Sequence, residues 1–142
     1  MTYEEKGTWL LLVIAIGGYA VYLGLLLRAA DGGPLVDAPY VAPMLWAIGG
    51  AIVAGIVLRG LLEIVWRSER QSADVRDRAI DRMGSAVGSS FVTIGATGAL
   101  VLAMVEAPHF WIANALYLAF VVSGIVAPVA KLIAYRRGLP GW

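Results

Sequence analysis

Four long runs of apolar residues constrain this fold more than any other feature of the sequence. The hydrocarbon core of a bilayer is about 30 Å thick, and a helix needs roughly 20 apolar residues to cross it. Runs of that length cover residues 8–27, 42–66, 85–105 and 110–134. Backbone N–H and C=O groups find no partners in hydrocarbon, so each run must pair its own groups within a helix. The sequence therefore predicts an all-α fold, an integral membrane four-helix bundle.

Little of the chain remains outside these spans, so we expect a single transmembrane domain over residues 1–142. Apolar residues make up 60% of the chain and charged residues 15%, whereas soluble domains have roughly 45–50% and about 25%. The first run follows an acidic flank, Glu4 and Glu5, and is longer than the apolar region of a signal peptide, which usually has about 7–15 residues. We interpret it as a retained span.

Lysine and arginine residues are concentrated on one side of the predicted membrane. Cytoplasmic flanks of spans carry the excess of these residues. One side holds nine of them, the other only Arg28, and Arg59 lies inside the second run. We expect a bacterial inner-membrane protein with both termini in the cytoplasm. The nine are Lys6, Arg67, Arg70, Arg76, Arg78, Arg82, Lys131, Arg136 and Arg137.

Residues 67–84 form the only long, strongly charged segment, which we place in the cytoplasm. Ser72 is a suitable N-cap, and Asp74 and Arg78 are spaced as an i,i+4 pair. We therefore expect the third helix to begin near Ala73, before its apolar run. The face that carries Asp77, Arg78 and Asp81 is the predicted docking surface for a partner.

Small residues recur at intervals of four along the second and fourth runs. In lipid, helices associate where small side chains let the backbones approach closely. We expect these stripes to serve helix contacts, in a homodimer or in a larger membrane complex. The stripes are Ala47, Ala51 and Gly55 in the second run and Ala115, Ala119, Ser123 and Ala127 in the fourth, and Gly84, Gly88 and Gly95 mark the third.

Each long stripe continues into charged residues near the predicted cytoplasmic boundary. The second run continues through Arg59 and Glu63, and the fourth through Lys131. One hypothesis is an ion pair between Glu63 and Lys131, with Arg59 bonded to Glu63 or to helix-end carbonyls. The alternatives are that Arg59 snorkels toward the headgroups, or that it lines a path for a substrate or ion, since intramembrane charges often mark function.

Asn114 and Tyr117 are the polar residues of interest in the fourth run. They are three residues apart on one helix face and can hydrogen-bond across a helix interface. The alternative is that they line a small-molecule pocket. His109, just before them, is expected to be an interfacial turn residue.

The residue types needed for most catalytic and metal sites are missing. The chain has no Cys and one His, and it contains no phosphate-binding loop and no nucleophile-elbow motif. We expect no enzymatic activity, no catalytic residues, no cofactor and no metal site. The segregated charges explain orientation in the bilayer and give no reason to expect nucleic-acid binding.

Three segments resemble a group of small four-span actinobacterial integral membrane proteins whose function is uncharacterised. Where that group tends to read Asp-Glu-Arg-Asp, this chain has Val75 in second place. The resemblance implies a fold and a compartment, and no activity. The segments are Tyr3-Glu4-Glu5-Lys6-Gly7-Thr8-Trp9, Asp74-Val75-Arg76-Asp77-Arg78-Ala79-Ile80 and His109-Phe110-Trp111-Ile112-Ala113-Asn114-Ala115-Leu116-Tyr117.

Three classes of function are considered, and the last of them, a membrane enzyme or cofactor carrier with haem, quinone or lipid beside His109 or Tyr117, is the least favoured. The first is a non-enzymatic accessory, regulatory or immunity-type factor that acts through helix contacts or the cytoplasmic segment. The second is a small homo-oligomeric transporter or channel, which requires Arg59, Asn114, Tyr117 and Ser123 to meet at one water-accessible cavity.

Overall fold

The computed structural model describes residues 3–65 and 75–138, and four long helices make up most of this part of the chain. They are α1 (Tyr3–Ala30), α2 (Val41–Val65), α3 (Val75–Met104) and α4 (His109–Arg137), with a short 3-10 turn at Leu35–Asp37. All four are long and apolar enough to cross a membrane. The prediction of an all-α membrane bundle is confirmed.

α3 is longer than its apolar run. It has 30 residues, which corresponds to about 45 Å at the rise of an α-helix. The helix begins at least ten residues before residue 85, as expected from the charged segment. Ser72, Ala73 and Asp74, which carry the predicted cap and ion pair, lie outside the described residues.

Residues with positive φ end the helices at one end of the bundle. After α1, Asp31 and Gly32 have φ of 46° and 78°, and the Gly33 N–H donates to the Ala30 carbonyl at 2.8 Å. After α3, Glu106 has φ of 58°, and Pro108 cannot continue a helix from there. These short connections make consecutive helices antiparallel.

The helices are arranged in the order α2, α1, α4, α3. α1 packs against α2 and α4, and α4 packs against α3. In the described part of the chain α2 and α3 are not packed together, so the bundle is open between them. The starts of α1 and α3 and the ends of α2 and α4 meet at what we call the basic end, and the connections 31–40 and 105–108 lie at the opposite end.

The small-residue stripe of α4 packs onto the glycines of α3. A Cβ placed on Gly95 would overlap Ala119, and one placed on Gly88 would lie 2.9 Å from both the Ala127 Cβ and the Ser123 Oγ. These distances are shorter than van der Waals contact, so only glycine permits this helix separation. The expectation that the stripe forms a helix contact is confirmed, and the contact lies within the chain.

The stripe of α2 is also used within the chain, against α1. A Cβ placed on Gly18 would lie 3.4 Å from the Ala51 Cβ, and one on Gly55 would lie 3.9 Å from Ile14 Cδ1. Ala47, at the same face, is buried. Neither stripe is therefore available to hold two copies of the chain together, as the sequence had suggested.

Candidate functional site

The opening between α2 and α3 contains a charged cavity at the basic end. Its volume is about 610 Å³. α1 contributes one residue, α2 one and α3 five, so three separate segments of the chain build it. Three of the seven are arginines and three are carboxylates. They are Glu4, Arg59, Asp77, Arg78, Asp81, Arg82 and Ser85.

Arg59 reaches from α2 across the face of α1. A Cβ placed on Gly7 would lie 3.2 Å from Nη1 of Arg59, so the guanidinium lies directly over this glycine. Gly7 is buried, and a larger residue there would displace the arginine. The side chain is held against α1 close to the start of that helix and lines the cavity, so it extends toward the basic end, as the snorkelling alternative expects.

The ion pair proposed between Glu63 and Lys131 is replaced by one between α4 and α3. Lys131 Nζ donates to Asp81 Oδ1 at 2.8 Å. The reason is the helix order: α1 lies between α2 and α4, whereas α3 lies directly against α4. The Lys131 side chain is 15% exposed and that of Asp81 72%, because the lysine stem is covered by α3 at Gly84 and only the charged atoms reach the surface.

Arg76, on the first turn of α3, caps the end of α4. Its Nη2 donates to the carbonyls of Tyr135 at 2.9 Å and Ala134 at 3.5 Å. The last carbonyls of a helix have no partner within it, and a cation there also interacts favourably with the helix dipole. α3 and α4 are thus joined at the basic end by polar contacts as well as by their small residues.

An aromatic cluster fills the bundle toward the opposite end. Tyr22 has no exposed surface, and its ring centroid lies 4.9 Å from that of Tyr117 in an edge-to-face arrangement. The Tyr22 hydroxyl donates to Asn114 Oδ1, and Asn114 Nδ2 donates to the Phe110 carbonyl at 2.8 Å. Asn114 therefore makes the cross-helix hydrogen bond that its sequence position suggested, and Tyr117 packs beside it.

The residues required by the transporter hypothesis are not brought together. Asn114 and Tyr117 belong to the aromatic cluster between α1 and α4, whereas Ser123 faces Gly88 at the contact between α3 and α4. Arg59 lies at the basic end, over Gly7. The four residues thus fall in three separate places, with Asn114 and Tyr117 together in one of them, and they do not meet at one cavity.

The expected docking residues are found inside the charged cavity. Asp77, Arg78 and Asp81 line it together with Arg59, and Asp81 is already bound by Lys131. They therefore lie together on a concave, charged surface at the basic end. His109 is exposed at the first position of α4. Within residues 3–65 and 75–138 no three His, Asp or Glu side chains are arranged so that they could hold one metal ion.

Several residues that form these two sites could not be assigned a role from the sequence. Tyr22 contacts Asn114 over a separation of 92 positions, and Glu4, Arg82 and Ser85 join Arg59 only through the fold. For Tyr22 the sequence does contain an indication. A tyrosine in the middle of an apolar run has a hydroxyl that needs a hydrogen-bond partner when it is buried. Arg82 offered no such signal beyond its charge.

Comparison of the chain with protein-family models, with curated proteins and with solved structures found no match.

Proposed function

We propose that this multi-pass membrane protein is a non-enzymatic accessory or regulatory factor that works as a homodimer through the outward face of α2. The observation that carries the proposal is that α2 packs on only one side. In the described part of the chain its main helix partner is α1, and Ala47 is its only buried residue there.

The face of α2 that points away from α1 carries two glycines without a packing role in the chain. A Cβ on Gly49 or Gly60 would meet nothing within 4 Å. At 100° per residue these glycines, eleven positions apart, fall about 20° from one another and opposite the stripe that contacts α1. Glycine costs a helix up to about 1 kcal/mol relative to alanine, whereas small residues allow close helix approach in lipid. In a homodimer, a two-fold axis along the membrane normal would bring this face onto its copy and place the same glycines at the contact.

The orientation we propose places the basic end in the cytoplasm of a bacterial cell. Nine of the eleven lysines and arginines flank the spans at that end, which is the distribution that sets topology in inner membranes. Green fluorescent protein fused after Trp142 should fluoresce, and alkaline phosphatase fused there should be inactive. Active phosphatase at this position would reverse the orientation.

The dimer can be tested by cysteine crosslinking in native membranes, because the chain has no cysteine of its own. Val53 is 60% exposed and lies on the same face of α2 as Gly49 and Gly60. We expect Val53→Cys to form an oxidised dimer at twice the monomer mass of 15.1 kDa. Ile94→Cys is the matched control, because Ile94 is 68% exposed at a similar depth on α3.

A crosslink at Val53→Cys without one at Ile94→Cys supports the homodimer. Equal crosslinking of both variants would mean random collision in the membrane and would contradict the proposal. Absence of crosslinking at Val53→Cys in a membrane where the protein is abundant would contradict it as well.

A further inference from the structure

The charged cavity lies close to the ends of the helices that line it. Arg59 is six residues before the end of α2 at Val65, and its guanidinium lies over Gly7, four residues after the start of α1. Four residues of helix correspond to about 6 Å. The cavity therefore lies just inside the helix ends. Because the helices are longer than the hydrocarbon core of about 30 Å, we place this level at the phosphates of the adjoining leaflet.

The charges of the cavity leave a positive excess. Lys131 neutralises Asp81, and the lining holds two further carboxylates, Glu4 and Asp77, beside the guanidiniums of Arg59, Arg78 and Arg82. Even when both of these carboxylates are counted against the arginines, at least one positive charge is left over, which is enough to balance the single negative charge of a phosphodiester. Within residues 3–65 and 75–138 none of these three arginines forms an ion pair with another side chain.

Arginine is well suited to phosphate because its fork of N–H donors matches two phosphate oxygens. The three guanidiniums come from both walls of the opening, Arg59 from α2 and the other two from α3. A phosphate between these walls would connect two helices that do not pack against each other in the chain. Basic pockets between transmembrane helices commonly hold anionic headgroups in this way.

An apolar cavity follows the same helix faces away from the basic end. It has a volume of about 350 Å³ and is lined by α1, α2 and α4, including Ala15, Ile52 and Phe120. Ile52 and Arg59 are seven residues apart, and Glu4 and Ala15 eleven, so each pair lies on one helix face at 100° per residue. A chain that enters beside Arg59 thus continues along an apolar surface.

From this arrangement we infer that the opening between α2 and α3 binds an anionic phospholipid, with its phosphodiester among Arg59, Arg78 and Arg82 and an acyl chain along the apolar cavity. The proposal goes beyond the α2 dimer, since the dimer uses the outward face of α2 and the lipid uses the side that faces α3.

The test measures thermal unfolding of the full chain in detergent with added lipid. Dioleoylphosphatidylglycerol is the anionic probe, dioleoylphosphatidylcholine the neutral probe, and inorganic phosphate the water-soluble source of the same chemistry. We expect saturable stabilisation by the phosphatidylglycerol at concentrations where the other two have no effect. Equal stabilisation by both lipids would overturn the proposal, and stabilisation by inorganic phosphate alone would show a free-phosphate site in place of a lipid site.

Charge-neutral variants locate the binding. Arg59→Gln should weaken the apparent affinity for phosphatidylglycerol about tenfold or more, the typical effect of losing a charge-assisted hydrogen bond. Arg82→Gln, a change at an exposed position that the fold tolerates easily, should do the same. Arg137→Gln is the control, because Arg137 is at the same end but does not line this cavity. An equal loss in all three would show nonspecific attraction, and no loss in either cavity variant would refute the site. Crosslinking at Val53→Cys reports the dimer separately, so the two proposals can fail independently.

Discussion

The contact between α3 and α4 makes a specific prediction about Gly95. A Cβ at this position would overlap the Cβ of Ala119 and would lie 3.3 Å from its Cα. Neither atom can move by a change of rotamer, because alanine has none. Gly95→Ala must therefore push the two helices apart along a contact that Gly88 and Gly84 also keep close.

The expected change in the free energy of unfolding is the difference between a cost of overpacking and a gain in helix propensity. Overpacking a well-packed contact typically costs about 1–3 kcal/mol, and the upper part of that range applies here because the opposing atoms are a methyl group and backbone. Replacing glycine with alanine in a helix increases stability by up to about 1 kcal/mol, because alanine has the higher helix propensity. We expect Gly95→Ala to lower the free energy of unfolding by about 2 kcal/mol, the difference between about 3 and about 1.

Gly98→Ala is the matched control on the same helix. A Cβ on Gly98 would meet nothing within 4 Å, so only the favourable helix term remains, and stability should be unchanged or higher by up to about 1 kcal/mol. Unfolding in mixed micelles, followed by circular dichroism and tryptophan fluorescence, measures both variants. The reasoning is refuted if Gly95→Ala is as stable as Gly98→Ala.

A compensating change tests the same contact from the other helix. Ala119→Gly removes the methyl group that Gly95→Ala would strike, so the double variant moves one methyl across the interface at constant volume. We expect the double variant to be more stable than the sum of the single changes predicts, with a coupling of about 1–3 kcal/mol. Additive effects would mean that the two positions do not touch.

Three further predictions concern the polar contacts. Tyr22→Phe should destabilise the bundle by about 1 kcal/mol, because it leaves the oxygen of Asn114 without its donor in a buried site; the same unfolding assay checks this, and an unchanged stability would contradict the bond. Asp81→Asn should cost less than about 0.5 kcal/mol since that carboxylate is exposed, whereas Lys131→Ala should cost about 1–2 kcal/mol because its covered methylene stem is lost; equal effects would show that the charge alone matters. Arg76→Ala should speed amide exchange in the last turn of α4 about fivefold, as expected for a cap worth about 1 kcal/mol, and unchanged exchange would mean that the cap has no effect.

The sequence determined the elements of this protein because the reasons for them are local. The length of each apolar run and the need to pair every backbone group in hydrocarbon predict four helices wherever the chain is placed. The spacing of small residues also predicted which faces of α2 and α4 make contacts, since that spacing follows from helix geometry alone. A charged turn before residue 85 predicted that α3 begins ahead of its span.

Only the tertiary structure decided which faces meet. Lys131 and Glu63 lie at similar depth on helices of the same direction, and periodicity cannot reveal that α1 separates them while Asp81 faces the lysine directly. The charged cavity likewise depends on α2 and α3 standing apart, a property of the helix order and of no single segment. The order of the helices depends on the sum of close contacts over the whole bundle. Two residues that are distant in sequence can therefore become neighbours although the local sequence around neither of them predicts the contact.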